Sequence, residues 1–517
     1  MKMRKLAALM MAAVMTLSMT ACGNGNSDAV SGESSAAGTQ AVSDSGELYT
    51  VKWVTPGNEP ERLPEIQKAI NEKLIADGKN IQVEIVRIPW DAWDQKTNLM
   101  LTTGEEFDLL HVMQDQKTAG YLMSRDYLLP LNDYLDKFPE LKGRFTEQMW
   151  KEASFGDKIA AVPAAWKVFP PEGRLSLRQD LLDKLDIATP TTVEEVIDMG
   201  LKMKEYVEAE TGQKAYFWTQ DVKYPMYWMH RTYDKWPFYV EKSTNLFQVM
   251  QDGTVNSWFE SEEFKKDATY ARDMYKKGLI SPDLLSQNDY QEAQNRGTVL
   301  FGDCFNYGTQ DSLRKIAGIT DAQIGFLRLN PDAVSIAAQS IGNCNAIPKS
   351  CKNPEAALTF LDWLYADSEN LTLLLDGIEG VHYERVEGKD SVIRRIKDST
   401  EQPLYYFDSW QIGLYSEMNY QDTETEESIK ELTTPLEEGL FGEVEYSPIA
   451  GFVFNEENVV TEMANLRNEI VTSMYPIKFG MVDYEEAYTD AIAKLKAAGL
   501  DKVMEEYQKQ LKEYMAQ

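Results

Sequence analysis

Tyr49-Thr50-Val51-Lys52-Trp53-Val54 alternates its side chains as a strand does, and Pro56-Gly57 then turns the chain. Beyond the turn, Leu63, Ile66, Ile70 and Leu74 recur at helical spacing until Asp77-Gly78 stops them. The β-branched, apolar run 81–88 predicts a second strand, 91–103 returns to helix, and Phe107-Asp108-Leu109-Leu110-His111-Val112 reads as a third strand. Strand–helix–strand–helix–strand over connections this short predicts a parallel sheet covered by helices, hence an α/β fold. Ligands of such open sheets bind beyond the carboxyl ends of the strands. Here those ends are residues 55–59 and 113–116.

Outward from this unit the chain is mostly helical. Thr191-Thr192-Val193-Glu194 offers a capping box to a helix whose apolar stripe is Val193, Val196, Ile197 and Leu201. Ser261 opens another, with Phe264, Ala268, Ala271 and Tyr275 inward and Gly278 ending it before Pro282. Asn353-Pro354 opens a third, carrying Ala357, Phe360, Leu361 and Leu364. Helical spacing then holds from 484 to 515, broken near Gly499. Two extended strips of small residues, 160–166 and 345–349, interrupt the helices and suit a chain crossing between lobes at a hinge.

Acidic residues outnumber basic ones by 31. That balance repels nucleic acid and anionic lipid headgroups and argues against both as partners. Lys2, Arg4 and Lys5 precede an apolar run from Leu6 to Met19, then Thr20-Ala21-Cys22. A basic start, an apolar stretch too short to span a bilayer and small residues before a cut describe an export signal over 1–21. The cysteine after the cut resembles that of the bacterial lipoprotein lipobox, with Met19 where Leu is usual, which implies a diacylglyceryl group on Cys22. Residues 22–47 are almost all small or polar and read as a flexible leash, since they cannot bury enough surface to offset ordering. Losing the three basic residues with the signal raises the acidic excess to 34. No second run of 18 apolar residues exists. Cys304, Cys344 and Cys351 complete the cysteines; Cys344 and Cys351 are close enough in sequence to pair, which spacing leaves open. With no CxxC and with His111, His230 and His382 far apart, neither a zinc site nor a cofactor is expected.

Several longer patterns follow one another in order. They are Leu175-Ser176-Leu177-Arg178-Gln179-Asp180-Leu181-Leu182-Asp183-Lys184-Leu185-Asp186 with Pro190-Thr191-Thr192, then Tyr275-Lys276-Lys277-Gly278-Leu279-Ile280-Ser281-Pro282-Asp283. Ala346-Ile347-Pro348-Lys349 comes next, with Asn353-Pro354-Glu355-Ala356-Ala357 and Phe360-Leu361-Asp362-Trp363-Leu364. Together they resemble the family 1 extracellular solute-binding proteins, with Leu177, Asp186 and Val193 where that family usually has Tyr, Gly and Trp. Gly377-Ile378-Glu379-Gly380-Val381-His382-Tyr383, Gly451-Phe452-Val453-Phe454 and the 496–511 helix are similar to the family's long lipoprotein subgroup, common in Gram-positive bacteria and ending in a domain of unknown function. The resemblance covers 48–517. It implies an α/β, two-lobed periplasmic-binding-protein-like fold with a hinge, an interlobe ligand cleft and a helix-rich C-terminal part. Lobe 1 is expected over 48–165 with about 296–347, and lobe 2 over 166–295 with about 348–517, including a C-terminal helical subdomain. The resemblance further implies a monomeric receptor, not an enzyme, held on the outer face of the cell membrane by lipid on Cys22. It would pass a solute, in this subgroup mostly carbohydrate, to the transmembrane subunits of an ABC permease.

A sugar cleft needs flat apolar faces for the C–H side of pyranose rings and planar polar groups for their hydroxyls. The chain has 11 Trp and 26 Tyr to supply the faces. Trp166 follows Pro163 in the first strip, Trp53 nears the ligand end of the first strand, and Trp218 and Trp228 flank Tyr224-Pro225-Met226-Tyr227. Trp410, with Asp408 beside it, lies in a stretch similar to a cleft-facing W-x-x-G of the subgroup. Glu59, Gln114 and Asp115 fall in strand-end loops, Asp303 follows a strand (Leu300-Phe301-Gly302) read as returning to the first lobe, and Asn343 precedes the second strip. Each also has a plainer role, the aromatics in a core and the polar residues at the surface. The acidic excess favours a neutral oligosaccharide unless a local basic patch offsets it. A peptide or other non-sugar solute is the alternative ligand. A glycoside-acting enzyme or an adhesin is the alternative class, although no G-x-S-x-G, H-E-x-x-H or G-x-x-x-x-G-K-[ST] occurs.

Overall fold

The computed structural model describes residues 48–114, 117–219, 222–286, 290–303, 305 and 307–516. The expectations for the export signal, Cys22 and the leash lie outside the described residues, as do Asp115 and Cys304.

The opening stretch folds as its periodicity predicts. Strand Tyr49–Pro56 pairs in parallel with Ile81–Ile88 and with Leu109–Met113, connected by helices Leu63–Ala76 and Trp90–Thr103. Asn343–Ala346 joins antiparallel beside Leu109–Met113, and Val162–Ala164 antiparallel beside Asn343–Ala346. Alternation sorts the faces. Val51, Trp53, Val83, Ile85 and Leu109 enter one core with Leu63, Ile66, Ile70 and Leu74. Val54, Ile88, Leu110, Val112, Cys344 and Ala346 enter the other with Trp93 and Met100.

A second sheet runs in the order Ile324–Leu327, Leu175–Arg178, Val299–Gly302, Tyr216–Trp218. Helices Val193–Thr211 and Glu262–Lys276 cover it, and buried residues from Val459 to Leu511 share that core, with Phe247 and Tyr507 stacked at 3.7 Å. The C-terminal helices Tyr484–Ala497 and Leu500–Met515 therefore share the core of this second sheet.

Three sequence expectations need correction. The strips 160–166 and 345–349 are not hinges along their length, because Val162–Ala164 and Asn343–Ala346 are ladder strands of the first sheet. Val299–Gly302 does not return to the first lobe, because it hydrogen-bonds to Leu175–Arg178 and Tyr216–Trp218. Helices Pro354–Ala366 and Ser368–Leu375, expected in lobe 2, pack Phe360, Leu361, Leu364 and Leu371 onto Trp53 and Val51 in lobe 1. Cys344 and Cys351 are both free thiols; the Cys351 thiol donates to Asp108 at 3.2 Å, and burial pushes its pKa up to about 12.

Strand direction fixes where a ligand can sit. The carboxyl ends of 49–56, 81–88, 109–113 and 162–164 lie on one edge of the first sheet, together with the amino end of antiparallel Asn343–Ala346. The carboxyl ends of 216–218, 299–302 and 324–327 share an edge of the second sheet with the amino end of Leu175–Arg178. The segments 165–174 and 328–342 thus run from one ligand edge directly to the other. Ser335–Ala337 in the second of these pairs in parallel with Val444–Tyr446, adding a third strap.

Candidate functional site

At the first edge, Trp90 begins its helix just past Ile88 and stays 52% exposed. The stretch 405–413 lies across the same edge, anchored by buried Phe407, Ile412 and Gln411. The Gln411 amide donates to the Pro56 carbonyl at 3.0 Å and to Asp408 at 3.2 Å, and its side-chain oxygen accepts from Thr55 and Arg87. Its own carbonyl accepts from Asn345 at 2.9 Å. Arg87 is nearly buried, pairs with Asp408 at 2.8 Å and lies over the Phe407 ring. Gly57 sits at φ +114°, and a Cβ there would strike the Arg87 guanidinium, so the turn after the first strand requires glycine.

This scaffold presents Trp410, half-buried, stacked on Trp90 with centroids 5.8 Å apart and planes 23° from parallel. His111 meets Trp410 edge-on at 5.1 Å. Burial pushes the His111 imidazole down to about 3, against hydrogen bonding with the Gln411 carbonyl and Asn343, so the ring is neutral at pH 7. An aromatic pair rimmed by Asp408 has the chemistry that a sugar ring needs, with flat apolar area beside an acceptor for hydroxyls.

At the second edge, Ser176 Oγ donates to the Gly302 carbonyl at 2.8 Å and accepts from the Phe305 N–H at 3.0 Å, which pins the turn carrying Asp303. Thr219 Oγ1 donates to Asp303 at 3.1 Å. A Cβ on Gly302 would run into the Trp218 carbonyl, so glycine is required where these strands approach. The neighbouring loop is tied to the C-terminal domain by buried Lys478. Its ammonium donates to the carbonyls of Val222 (2.7 Å) and Tyr224 (2.8 Å) and to Asn245 Oδ1 (2.7 Å). Glu152 fastens the second crossover by accepting from both the N–H and Oγ of Ser340 and from the Ile341 N–H. Burial raises the Glu152 pKa, opposed by those bonds and by Gln148.

The residues expected from sequence fall into distinct groups. Trp410 and Asp408 lie together at the first edge, Asn343 is nearly buried there, and Glu59 is exposed in the loop after the first strand. Trp166 is half-buried at the start of the first crossover, and Asp303 stands at the second edge. Trp53 and Trp228 are corrections. Trp53 is fully buried with its Nε1 on Asn345 (2.9 Å), and Trp228 is buried in the second core, so neither offers a face. Trp218 is also buried, packed with Val299, Phe305 and Ile324. Gln114 is occupied by the chain itself, donating to the Glu152 carbonyl and accepting from the Ala119 N–H. Sequence reasoning missed Trp90, Arg87, His111 and Gln411. The adjacency of Trp90 to a strand end was the one signal that could have found any of them.

A separate cavity of about 500 Å³ opens between helix Ala119–Ser124 and the segment 451–458. Phe155, Phe452, Phe454 and Tyr514 are among its walls, and none of the expected site residues lines it.

The family model for bacterial extracellular solute-binding proteins matches residues 57–370, and residues 448–516 match a domain of unknown function, DUF3502. A carbohydrate ABC transporter substrate-binding protein of Streptococcus pneumoniae is 26% identical over 524 residues, spanning 96% of this chain and 95% of that protein. Among solved structures, the N-glycan transport solute binding protein NgtS of Streptococcus pneumoniae has a TM-score of 0.68 at 21% identity, covering 90% of this chain and 99% of that one. The same protein in complex with Man1GlcNAc gives 0.59 at 20% identity, with 90% and 100% covered. An HMO binding, ABC-transporter associated solute binding protein from Bifidobacterium longum infantis gives 0.63 at 17% identity, with 90% and 99% covered. The family match runs from Gly57 at the first ligand edge through both crossovers into the helices that close the first core. The chain belongs to the bacterial extracellular solute-binding proteins.

Proposed function

We propose that this extracellular protein is the receptor of an ABC importer that captures an oligosaccharide between two lobes and delivers it to the permease's transmembrane subunits. The reading rests chiefly on one arrangement: two ligand edges joined end to end by crossovers, with the Trp90–Trp410 stack and Asp408 on one of them. Relatives named for carbohydrate ABC transport, N-glycan transport and HMO binding support the ligand class. Trp410, Trp90 and Asp408 are the ligand contacts on the first edge, Trp166 and Asn343 flank the crossovers, and Asp303 contributes from the second edge, with Glu59 at the rim. The receptor acts as a monomer tethered by a diacylglyceryl group on Cys22. Two acyl chains hold a protein stably where one does so only marginally. A Cys22→Ala form should therefore leave the membrane fraction; equal retention would remove the tether from this account.

A thermal-shift screen against a glycan library tests the ligand class. A saccharide at 100 times its dissociation constant should stabilise the fold by about 2.7 kcal/mol. Stoichiometric binding without products supports a receptor. Turnover of the bound glycan would make the protein an enzyme, and stabilisation by peptides alone would overturn the carbohydrate assignment.

A further inference from the structure

Three cations gather where the first crossover reaches the second edge, and they share one carboxylate. Arg174, just before strand Leu175–Arg178, pairs with Glu431. Lys167 and Arg328 have no ion pair among the described residues. The Lys167 ammonium sits over the rings of Trp166 (4.3 Å) and Phe169 (5.2 Å). Arg328, just past strand Ile324–Leu327, gives one N–H to the Phe441 carbonyl at 2.7 Å and lies over that residue's ring. Both side chains are half-buried. Arg174 repels each of them and Glu431 attracts each, so the three cations form one group around a single acid. Nearby Lys242 is matched by Glu172 at 2.6 Å, while Asp303, at the end of the neighbouring strand, accepts from Thr219.

The chain as a whole carries an acidic excess of 31, so an uncompensated cationic pair at the ligand edge runs against its composition. Removing a cation from water without a counter-ion costs free energy that aromatic faces recover only in part. Burial and the neighbouring Arg174 lower the pKa of both Lys167 and Arg328, a strain that a bound anion relieves. The arginine fork suits the two oxygens of a carboxylate, and the lysine supplies a point charge beside it. We infer that this group binds a carboxylate of the ligand, and that the captured oligosaccharide carries an acidic sugar, with Lys167 and Arg328 on its acid group. This rests on the oligosaccharide reading above and narrows it. It also meets the one condition under which the overall charge permits an anionic ligand, a local basic patch.

Titration calorimetry with the full chain tests the inference. The probes are trigalacturonate against its methyl ester, and 3′-sialyllactose against lactose, so that the two arms separate a uronate from a sialate. At least one acid should bind tenfold or more tighter than its neutral counterpart, weaken with added salt, and lose most of that margin in Lys167→Met and Arg328→Met. Lys167→Arg should keep much of it. Circular dichroism melts of the variants confirm that they fold. Equal binding of acid and neutral forms, or margins untouched by both methionine variants, overturns the carboxylate site. Neutral glycans binding where neither acid does overturns it too, yet leaves the oligosaccharide reading intact; no saccharide of either kind binding overturns both.

Discussion

Gln411 and Arg87 show how single side chains build the first edge. Arg87 and Asp408 are 321 residues apart, and their pairing is what lays the 405–413 stretch over the strand ends. Trp410 then has one ring neighbour in exposed Trp90 and another in buried His111, and is itself only half-buried. Trp410→Ala is therefore expected to weaken the best glycan from the screen at least tenfold, while the unliganded melting point changes little. A large drop in melting point with affinity retained would make the ring structural. His111 gives a pH prediction. Its folded pKa is about 3 against an ordinary 6.5, so between those values the unfolded chain takes a proton that the folded one refuses. Stability contributed this way is complete above 6.5 and falls as pH drops toward 3. Urea melts at pH 7.5 and 5.0 should show the parent losing about 2 kcal/mol more than His111→Gln. Parallel losses would mean that the imidazole titrates normally. The place of Trp410 at the first edge was legible in the sequence because a local motif surrounds it. Arg87 and Gln411 were not, because nothing local marks a residue whose partners lie hundreds of positions away.

Elements with local instructions form where the sequence puts them. Ser261 and Asn353 cap their helices, and Gly499, at φ +107°, breaks the last two. The capping box at Thr192 closes on Glu195, one residue later than the sequence pattern indicates, and Met274 replaces Tyr275 on the buried stripe of Glu262–Lys276. Strands with remote partners were misassigned. Val162–Ala164, Asn343–Ala346 and Val299–Gly302 are runs of only three or four residues with no helical or alternating signature of their own, and only their ladders tell a sheet strand from a hinge or one lobe from the other. The C-terminal domain likewise has a role that periodicity does not reveal. Lys478, in helix Tyr475–Lys478, satisfies the carbonyls of Val222 and Tyr224 and so holds the aromatic segment that follows strand Tyr216–Trp218. Lys478→Met fits the volume but strands those acceptors and Asn245 Oδ1, each worth about 1–3 kcal/mol when buried without a donor. Loss of roughly 3 kcal/mol in urea unfolding is expected, together with weaker glycan binding. Unchanged stability would mean that water reaches the carbonyls and that the lysine is not what ties the domain to the site.

The two lobes meet through straps of different character, and that difference decides how the whole molecule can move. The first crossover leaves Ala164 and bridges to Leu414 at Ala165, so its lobe 1 end is held in place. The second is fixed at its lobe 1 end by Glu152 on Ser340 and Ile341, and at its lobe 2 end by Arg231, which donates to the carbonyls of Leu329, Asn330, Ala333 and Val334. Ser335–Ala337 is further laced to Val444–Tyr446. Rotation is then concentrated between these anchors, around 338–339 and in the first crossover between its own ties, the Val168 N–H on the Leu432 carbonyl (3.0 Å) and the Glu172 N–H on the Ile336 carbonyl (2.7 Å), as hinge motion requires. If each edge contributes part of the site, a ligand favours the arrangement in which both touch it, and can shift the equilibrium only by its preference for that state. Small-angle scattering with a saturating glycan should show a smaller radius of gyration than the unliganded protein. Glu152→Gln, which turns an acceptor toward the Ser340 and Ile341 donors into an amide, should blunt that compaction by loosening the strap. An identical radius of gyration at proven saturation would place the whole site on one edge, and the crossovers would then be linkers rather than hinges.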